Sequence, residues 1–345
     1  GAGRVLHSDA MHMQSILAIS LFVLGCEPEP GPPCATTSNG TCDELAGCPL
    51  GTDSEDCDAA CDETPWPADA VAACAYDQAD ASVAIGDDAT ASFGVGGLAG
   101  MWDGSVWARG ESPNDEVERF FRVYVPRRYN PDEPTPVIFN LGGFTVDQYF
   151  LDEYTELNRT ADLNNFIVVY GQPEWRDFNS YWVWAWYVYE EAYTGSWEDN
   201  PDLEYLRNVY EQVRTLYNVD QTRVYVSGHS RGGALSVIAG FEMPDVFAGF
   251  CAQAGFTTYN NYDDRMEELS STPAAMMVHG DDDPDVPVDA SDDLFDDLEA
   301  LGWVEGENLE YLRLEGVTHR WQPQYNEQMW TFLSGHAIDV DAVAP

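Results

Sequence analysis

The stretch from Arg223 to Gly233 constrains this chain more than any other. Arg-Val-Tyr-Val-Ser runs straight into Gly228-His229-Ser230-Arg231-Gly232-Gly233, and an apolar helical pattern (Ala234, Leu235, Val237, Ile238) follows at once. The β-branched and aromatic run reads as a strand, and G-x-S-x-G after it reads as a sharp strand-to-helix turn. A serine at that apex has a strained backbone, and only small residues two positions to either side avoid clashes. Gly228 and Gly232 supply those gaps. The turn then holds the Ser230 hydroxyl where a carbonyl carbon and a histidine reach it. An ordinary glycine-rich turn is the competing reading; the strand before and the helix after count against it.

Strand patterns recur at 119–125, 136–141, 166–170, 223–227, 248–253, 274–279 and 309–314, with helical patterns at 201–217, 231–241, 290–301 and 325–334. This alternation predicts an α/β fold, a mostly parallel sheet with helices on both faces. Functional residues of such sheets sit at the carboxyl ends of strands. The strand at 274–279 is followed by Asp281, Asp282, Asp283 and Asp285, and the strand at 309–314 by His319. Of the six histidines only His319 and His336 lie beyond those aspartates, and His336 follows the last helical pattern, where a surface position is expected. His279 precedes the aspartates and is expected to pack the strand end. The order serine, aspartate, histidine is the one this sheet architecture uses.

Attack by a serine creates an oxyanion that needs preorganised donors. The Arg231 amide, first in a helix where partial positive charge gathers, is one candidate. A second is the Phe144 amide, in Asn140-Leu141-Gly142-Gly143-Phe144 after the strand at 136–141. A plain glycine turn closing that strand is compatible with both.

Three motifs carry a resemblance. Arg223-Val-Tyr-Val-Ser-Gly-His-Ser230-Arg-Gly-Gly, His279-Gly-Asp-Asp-Asp283-Pro-Asp-Val-Pro287 and Gly316-x-x-His319-x-Trp321 resemble the α/β-hydrolases, and among them the secreted polyhydroxybutyrate depolymerase and feruloyl esterase group. The resemblance covers about residues 117–335. It implies an α/β-hydrolase sheet with Ser230 as nucleophile, Asp283 as orienting acid and His319 as base, acting through an acyl-enzyme without cofactor or metal. Family members usually carry His-Gly where this chain has Gly142-Gly143, so a loop-fixing hydrogen bond is missing and the placement of the Phe144 amide is in question.

The implied function is a serine carboxylic-ester hydrolase. Polyhydroxyalkanoate-type polyester is the leading substrate, and feruloyl or acetyl esters of plant polysaccharide are the alternative. A peptidase of the same fold is a further reading, although such enzymes carry a propeller or large cap for which there is no room here. An inactive surface-binding protein is another, and the presence of all three residue types in order weighs against it. The run Trp175–Tyr187 holds Trp182, Trp184 and Trp186 among other aromatics, between a strand and a helix where binding loops belong. Trp182, Trp184 and Trp321 are therefore candidate substrate contacts; a buried structural cluster is equally compatible. Cys251, on a strand, reads as a core thiol. The acidic run 281–293 lacks the glycine and final glutamate of a calcium loop and reads as a solvated face.

The amino-terminal quarter has a different character. Ile16–Gly25 is an apolar stretch of signal-peptide length, ending in Val23-Leu24-Gly25-Cys26, which resembles a bacterial lipoprotein processing site. Export is expected, with lipidation of Cys26 as an open alternative to cleavage and secretion. Leu24 is larger than the residue usual there. The expected organisation is a leader at 1–26, a Pro-rich tether at 27–33, a cysteine-rich segment at 34–74, a linker at 75–116 and the catalytic domain at 117–345. Six of eight cysteines lie between Cys34 and Cys74 without histidine or a C-x-x-C pair, so disulfides in an oxidising compartment are expected rather than zinc. Their fifteen possible pairings stay open. The spacing around Cys42–Cys57 is similar to small extracellular modules with acidic, calcium-holding loops; a stapled spacer is the plainer reading.

Charge completes the picture. The chain carries 61 carboxylates against 15 basic residues, a net charge of −46, and every one of those basic residues is arginine. Nucleic acid is not expected as a partner and an anionic membrane surface is a poor one for so acidic a body, which leaves anchoring through a lipidated Cys26 as the membrane contact to consider. Self-repulsion of that size is relieved when the Debye length falls from about 8 Å at physiological salt to about 3 Å at 1 M, so adaptation to high salt is expected. An acidic exported protein from ordinary surroundings is the competing reading.

Overall fold

Strand and helix alternate along the computed structural model, which describes residues 90–338 apart from 93, 95, 96, 111–113, 179, 180, 190–195, 258–261 and 270. These belong to a compact unit spanning Glu63–Pro345. The leader, Cys26, the tether and the cysteine-rich segment lie outside the described residues.

Among the described residues there are ten strands: β1 (Gly100–Arg109), β2 (Glu116–Val125), β3 (Thr135–Leu141), β4 (Ile167–Gly171), β5 (Glu174–Phe178), β6 (Tyr181–Ala185), β7 (Val219–His229), β8 (Gly249–Gln253), β9 (Ala274–Gly280) and β10 (Leu309–Leu314). The helices are α1 (Gln148–Thr155), α2 (Leu157–Asn164), α3 (Pro201–Leu216), α4 (Arg231–Glu242), α5 (Tyr262–Met266), α6 (Asp289–Leu301) and α7 (Asn326–Ser334). Eight strands form one sheet in the order β1-β2-β4-β3-β7-β8-β9-β10, with β5 and β6 as a separate antiparallel pair. From β4 to β10 every pairing is parallel; β1–β2 and β2–β4 are antiparallel.

Period-two alternation divides the apolar residues between two faces. Val137, Phe139, Leu141, Val224 and Val226 join one core with Leu206, Val209 and Val213 of α3 and Leu235 and Ile238 of α4. The intervening residues face the other way: Tyr225 lies 6.3 Å edge-on from Trp330 of α7, which stacks on Phe166 at 4.3 Å. Helices therefore cover both faces, as the alternation predicted. The start of α3 follows local rules: the Asn200 side chain accepts from Asp202 N, Pro201 fills the first turn, and Asp202 and Glu204 complement the helix dipole.

Sequence patterning missed several elements. Gly100–Arg109, expected within a linker, is the edge strand β1; its Gly and Asp content and half-exposed face hide the alternation. α1 and α2 are short, with few buried positions each. Asp147, which caps α1 by accepting from Tyr149 N and Phe150 N, was the available signal.

Candidate active site

β7 delivers Ser230 to the carboxyl edge of the sheet. Ser230 has φ +57° and ψ −120°, a strained conformation for a residue with a side chain. The glycines around it are required by space. A Cβ on Gly228 would lie 2.2 Å from Gly232 O, and one on Gly232 would lie 2.0 Å from Leu141 O. The turn is thus clamped against the end of β3. Ser230 N donates to Gln253 O at 2.9 Å, and Ser230 O accepts from Ala234 N at the start of α4.

Of the four neighbouring aspartates, Asp283 is the one joined to His319. Its Oδ2 lies 2.7 Å from His319 Nδ1 and 3.2 Å from His279 Nε2, and its Oδ1 accepts from Asp285 N and Val286 N. Asp281 instead accepts from Gly316 N at 2.7 Å and pairs with Arg313, which fixes the loop leading to His319. Asp282 and Asp285 are exposed. Burial raises the Asp283 pKa, but the hydrogen bonds from His279 and His319 outweigh it and hold the carboxyl below the usual range. With Nδ1 committed to a carboxylate, His319 keeps Nε2 for a proton in transit.

His319 sits beside the nucleophile turn. Its ring centroid is 4.6 Å from that of His229, the residue preceding Ser230. No hydrogen bond joins Ser230 Oγ to His319 among the described residues; such bonds commonly tighten only when substrate binds. Burial, and secondarily the proximity of His319, push the His229 pKa well below its ordinary value, so this second ring stays neutral.

Three residues that patterning did not single out hold the site together. Gln253 accepts from Ser230 N through its backbone and from Gln322 N through its side-chain oxygen at 2.9 Å, tying the serine turn to the segment after His319. Tyr154 accepts from Trp321 N at 2.6 Å. Trp186 donates its indole N–H to Gly142 O at 2.7 Å. This last bond supplies the fixing contact whose absence Gly142-Gly143 suggested. Thr145 N donates to Trp184 O at 2.8 Å, so β6 and the residue just beyond it anchor the two ends of the loop. That loop abuts the serine: a Cβ on Gly143 would lie 3.2 Å from Ser230 Cβ. The Arg231 guanidinium lies 5.0 Å from the Phe144 ring centroid, bringing together the two residues whose amides are the candidate oxyanion donors. None of these contacts was visible in sequence, because each joins segments far apart in the chain.

The candidate substrate aromatics divide. Trp182 is exposed and Trp184 half-buried, both on one face of β6. Trp321 is only 1% exposed, with its indole N–H on Asn326 Oδ1 at 3.0 Å, so it braces the His319 loop instead of meeting solvent. Trp186 and Tyr187 are wholly buried, so the aromatic run is both core and surface. Cys251 is a buried free thiol whose pKa burial raises far from reactivity. Asp283, Asp285 and His319 bring ligand atoms within 4.8 Å of one another, but Asp283 and His319 are already committed to each other.

Known proteins agree with this architecture. A protein from Neocallimastix patriciarum, the bifunctional acetylxylan esterase/xylanase XynS20E, is 26% identical over 137 residues, 40% of this chain and 18% of its own length. The chain thus aligns with under one fifth of that protein. An acetyl xylan esterase from Aspergillus awamori superposes with a TM-score of 0.53 at 14% identity, over 68% of this chain and 99% of that one. A "putative dipeptidyl aminopeptidase IV" from Bacteroides ovatus reaches 0.51 at 11% identity, over 69% and 36%. At these identities the superpositions speak for the fold, which is that of the α/β-hydrolases. The family described as "Putative esterase" matches residues 112–330, well over half of the chain. A match of that extent, ending beyond His319 and beginning before β2, makes this chain a member of the Esterase family.

Proposed function

We propose that the protein is a serine carboxylic-ester hydrolase acting through an acyl-enzyme, with Ser230 as nucleophile, His319 as base and Asp283 as the acid that orients it. The observation that carries this reading is the 2.7 Å bond between Asp283 and His319 Nδ1 beside a serine at φ +57°. His319 Nε2 takes the Ser230 proton as Oγ attacks the ester carbonyl, and the Arg231 and Phe144 amides face the oxyanion. Collapse breaks the bond to the alcohol, which leaves with the proton from His319. Water, deprotonated by the same nitrogen, then attacks the acyl-enzyme and releases the acid and free Ser230.

For the substrate, acylated polysaccharide is preferred over aliphatic polyester. The support is the relative named an acetylxylan esterase/xylanase and the aromatic, polar surface of the β5–β6 hairpin. Export to a cell surface or medium is part of this reading, since polymers of either kind are met outside the cell. The test is hydrolysis of p-nitrophenyl butyrate, acetylated xylan and polyhydroxybutyrate by wild type and Ser230→Ala, at low and molar NaCl. Activity on the first two that vanishes in the variant is the expected result. Folded wild-type protein inactive at both salts would overturn the hydrolase reading, and activity on polyhydroxybutyrate alone would overturn the choice of polymer.

A further inference from the structure

A cleft of about 520 Å³ opens between the start of β2 and the β5–β6 hairpin, away from Ser230. Its lining includes Phe120, Pro173, Trp175 and Trp184, together with Arg119 and Glu174. Trp175 and Trp184 pair across the hairpin with ring centroids 4.9 Å apart. The polar groups are built in rather than incidental. Arg119, 2% exposed in its side chain, is ion-paired to Asp202 at 2.7 Å and lies 3.9 Å from the Tyr205 ring centroid. Glu174 accepts from Tyr187 OH at 2.9 Å. More aromatic surface borders the cleft: Trp107 of β1 lies in register opposite Glu118, another lining residue, and is 62% exposed.

Topology puts this cleft on the same edge of the sheet as the serine. Gln172 and Pro173 follow the carboxyl end of β4, and β2 runs past that end because Phe121 pairs with Gly171. From β4 to β7 is two strand steps, about 10 Å. The hairpin that walls the cleft also anchors the Gly142–Thr145 loop beside Ser230 through Trp184 O. One extended molecule can therefore lie across both.

We propose that this cleft is a sugar-binding subsite, holding the main chain of a neutral polysaccharide while an ester it carries reaches Ser230. The proposal rests on the ester-hydrolase reading and adds to it where the polymer binds. Aromatic faces suit the C–H faces of sugar rings, and hydroxyls on the ring edges find the Glu174 and Glu118 carboxylates. A polyester has no hydrogen to donate to those carboxylates, and covering them with it would desolvate charge that Tyr187 and Ser105, each donating one hydrogen bond, only partly satisfy. Uronate chains are disfavoured by the two glutamates and a net charge of −46.

The test separates binding from catalysis. Calorimetry with the Ser230→Ala protein uses xylohexaose, cellohexaose and oligogalacturonate, none of which carries an ester. At least one neutral oligosaccharide is expected to bind, and Trp175→Ala in the same background to weaken it about tenfold, the scale of one lost stacking contact. Phe120→Ser, at a half-exposed position, provides a second variant on the same cleft. In the active protein, Trp175→Ala should lower the ratio of kcat/KM on acetylated xylan to that on p-nitrophenyl acetate by a similar factor. Binding of neither neutral sugar, or binding that both variants leave intact, overturns the subsite. Preference for oligogalacturonate overturns its neutrality. Sugar binding by a protein whose wild type hydrolyses no ester would sink the hydrolase reading and leave the subsite standing.

Discussion

The indole N–H of Trp186 donates to the carbonyl of Gly142 at 2.7 Å, and both groups are buried. The bond spans 44 positions and pins the loop whose next residue, Gly143, contacts Ser230. Trp186→Phe keeps the ring in the core and deletes this donor, leaving a buried carbonyl unmatched. A loss of about 1–3 kcal/mol in stability is expected. The Phe144 amide should also lose its aim, lowering kcat by about tenfold with little change in KM, short of the 10²–10³ associated with outright loss of an oxyanion donor. Denaturant melts and steady-state kinetics on one preparation check both, and an unchanged kcat would free the loop from any part in catalysis.

Asp283→Asn replaces the carboxylate that faces His319 Nδ1. An amide there lets the imidazole settle in the wrong tautomer, and kcat should fall by about 10⁴. Asp281→Asn keeps an oxygen for Gly316 N and loses only a surface charge pair with Arg313, so its effect should be far smaller. Comparable losses in the two variants would show that the acid has been misassigned.

His229 links stability to pH with a definite sign. Its folded pKa is lowered by burial, so below about pH 6.5 the unfolded chain binds a proton that the native ring refuses. Stability from this residue is therefore intact above that pH and is lost as pH falls toward the folded value. Replacing it by Phe, which keeps a ring against Tyr154 and His319, should flatten the decline between about pH 6.5 and 5. Melting temperature against pH for the two proteins decides it; parallel curves would mean another group sets the acid limb.

Salt is the fourth lever. With a net charge of −46 the native state repels itself, and concentrated NaCl screens that repulsion at a Debye length of about 3 Å at 1 M. The melting temperature should climb steeply from low to molar salt. A flat response would mean that the excess carboxylates lie far enough apart for solvent to screen their repulsion even at low salt.

Local pattern was enough for the strands from β2 to β10, except β5 and β6, and for helices α3, α4, α6 and α7. These segments carry long apolar runs or amphipathic stripes whose period fixes their type. β1 escaped because an edge strand needs one buried face at most, and Gly100, Asp103 and Gly104 blur its alternation. The hairpin β5–β6 escaped because Trp175–Tyr187 reads as aromatic throughout, and only the packed structure separates exposed Trp182 from buried Trp186.

By itself the sequence determined that Ser230 stands at a glycine-flanked strand-to-helix apex, and that an aspartate and a histidine follow at later strand ends. Spacing along the chain carries that information, because G-x-S-x-G and strand–helix alternation are local and their steric reasons are local too. The resemblance already pointed to Asp283, and the tertiary structure shows the contact that joins it to His319. Tertiary structure alone decided that Trp186 holds the Gly142 loop, that Gln253 joins the serine turn to the histidine segment, and that Trp321 is a brace. Each of those is a contact between distant segments, set by strand order and register. A one-position choice among Asp281, Asp282, Asp283 and Asp285 leaves the local pattern nearly unchanged and redirects the carboxylate completely.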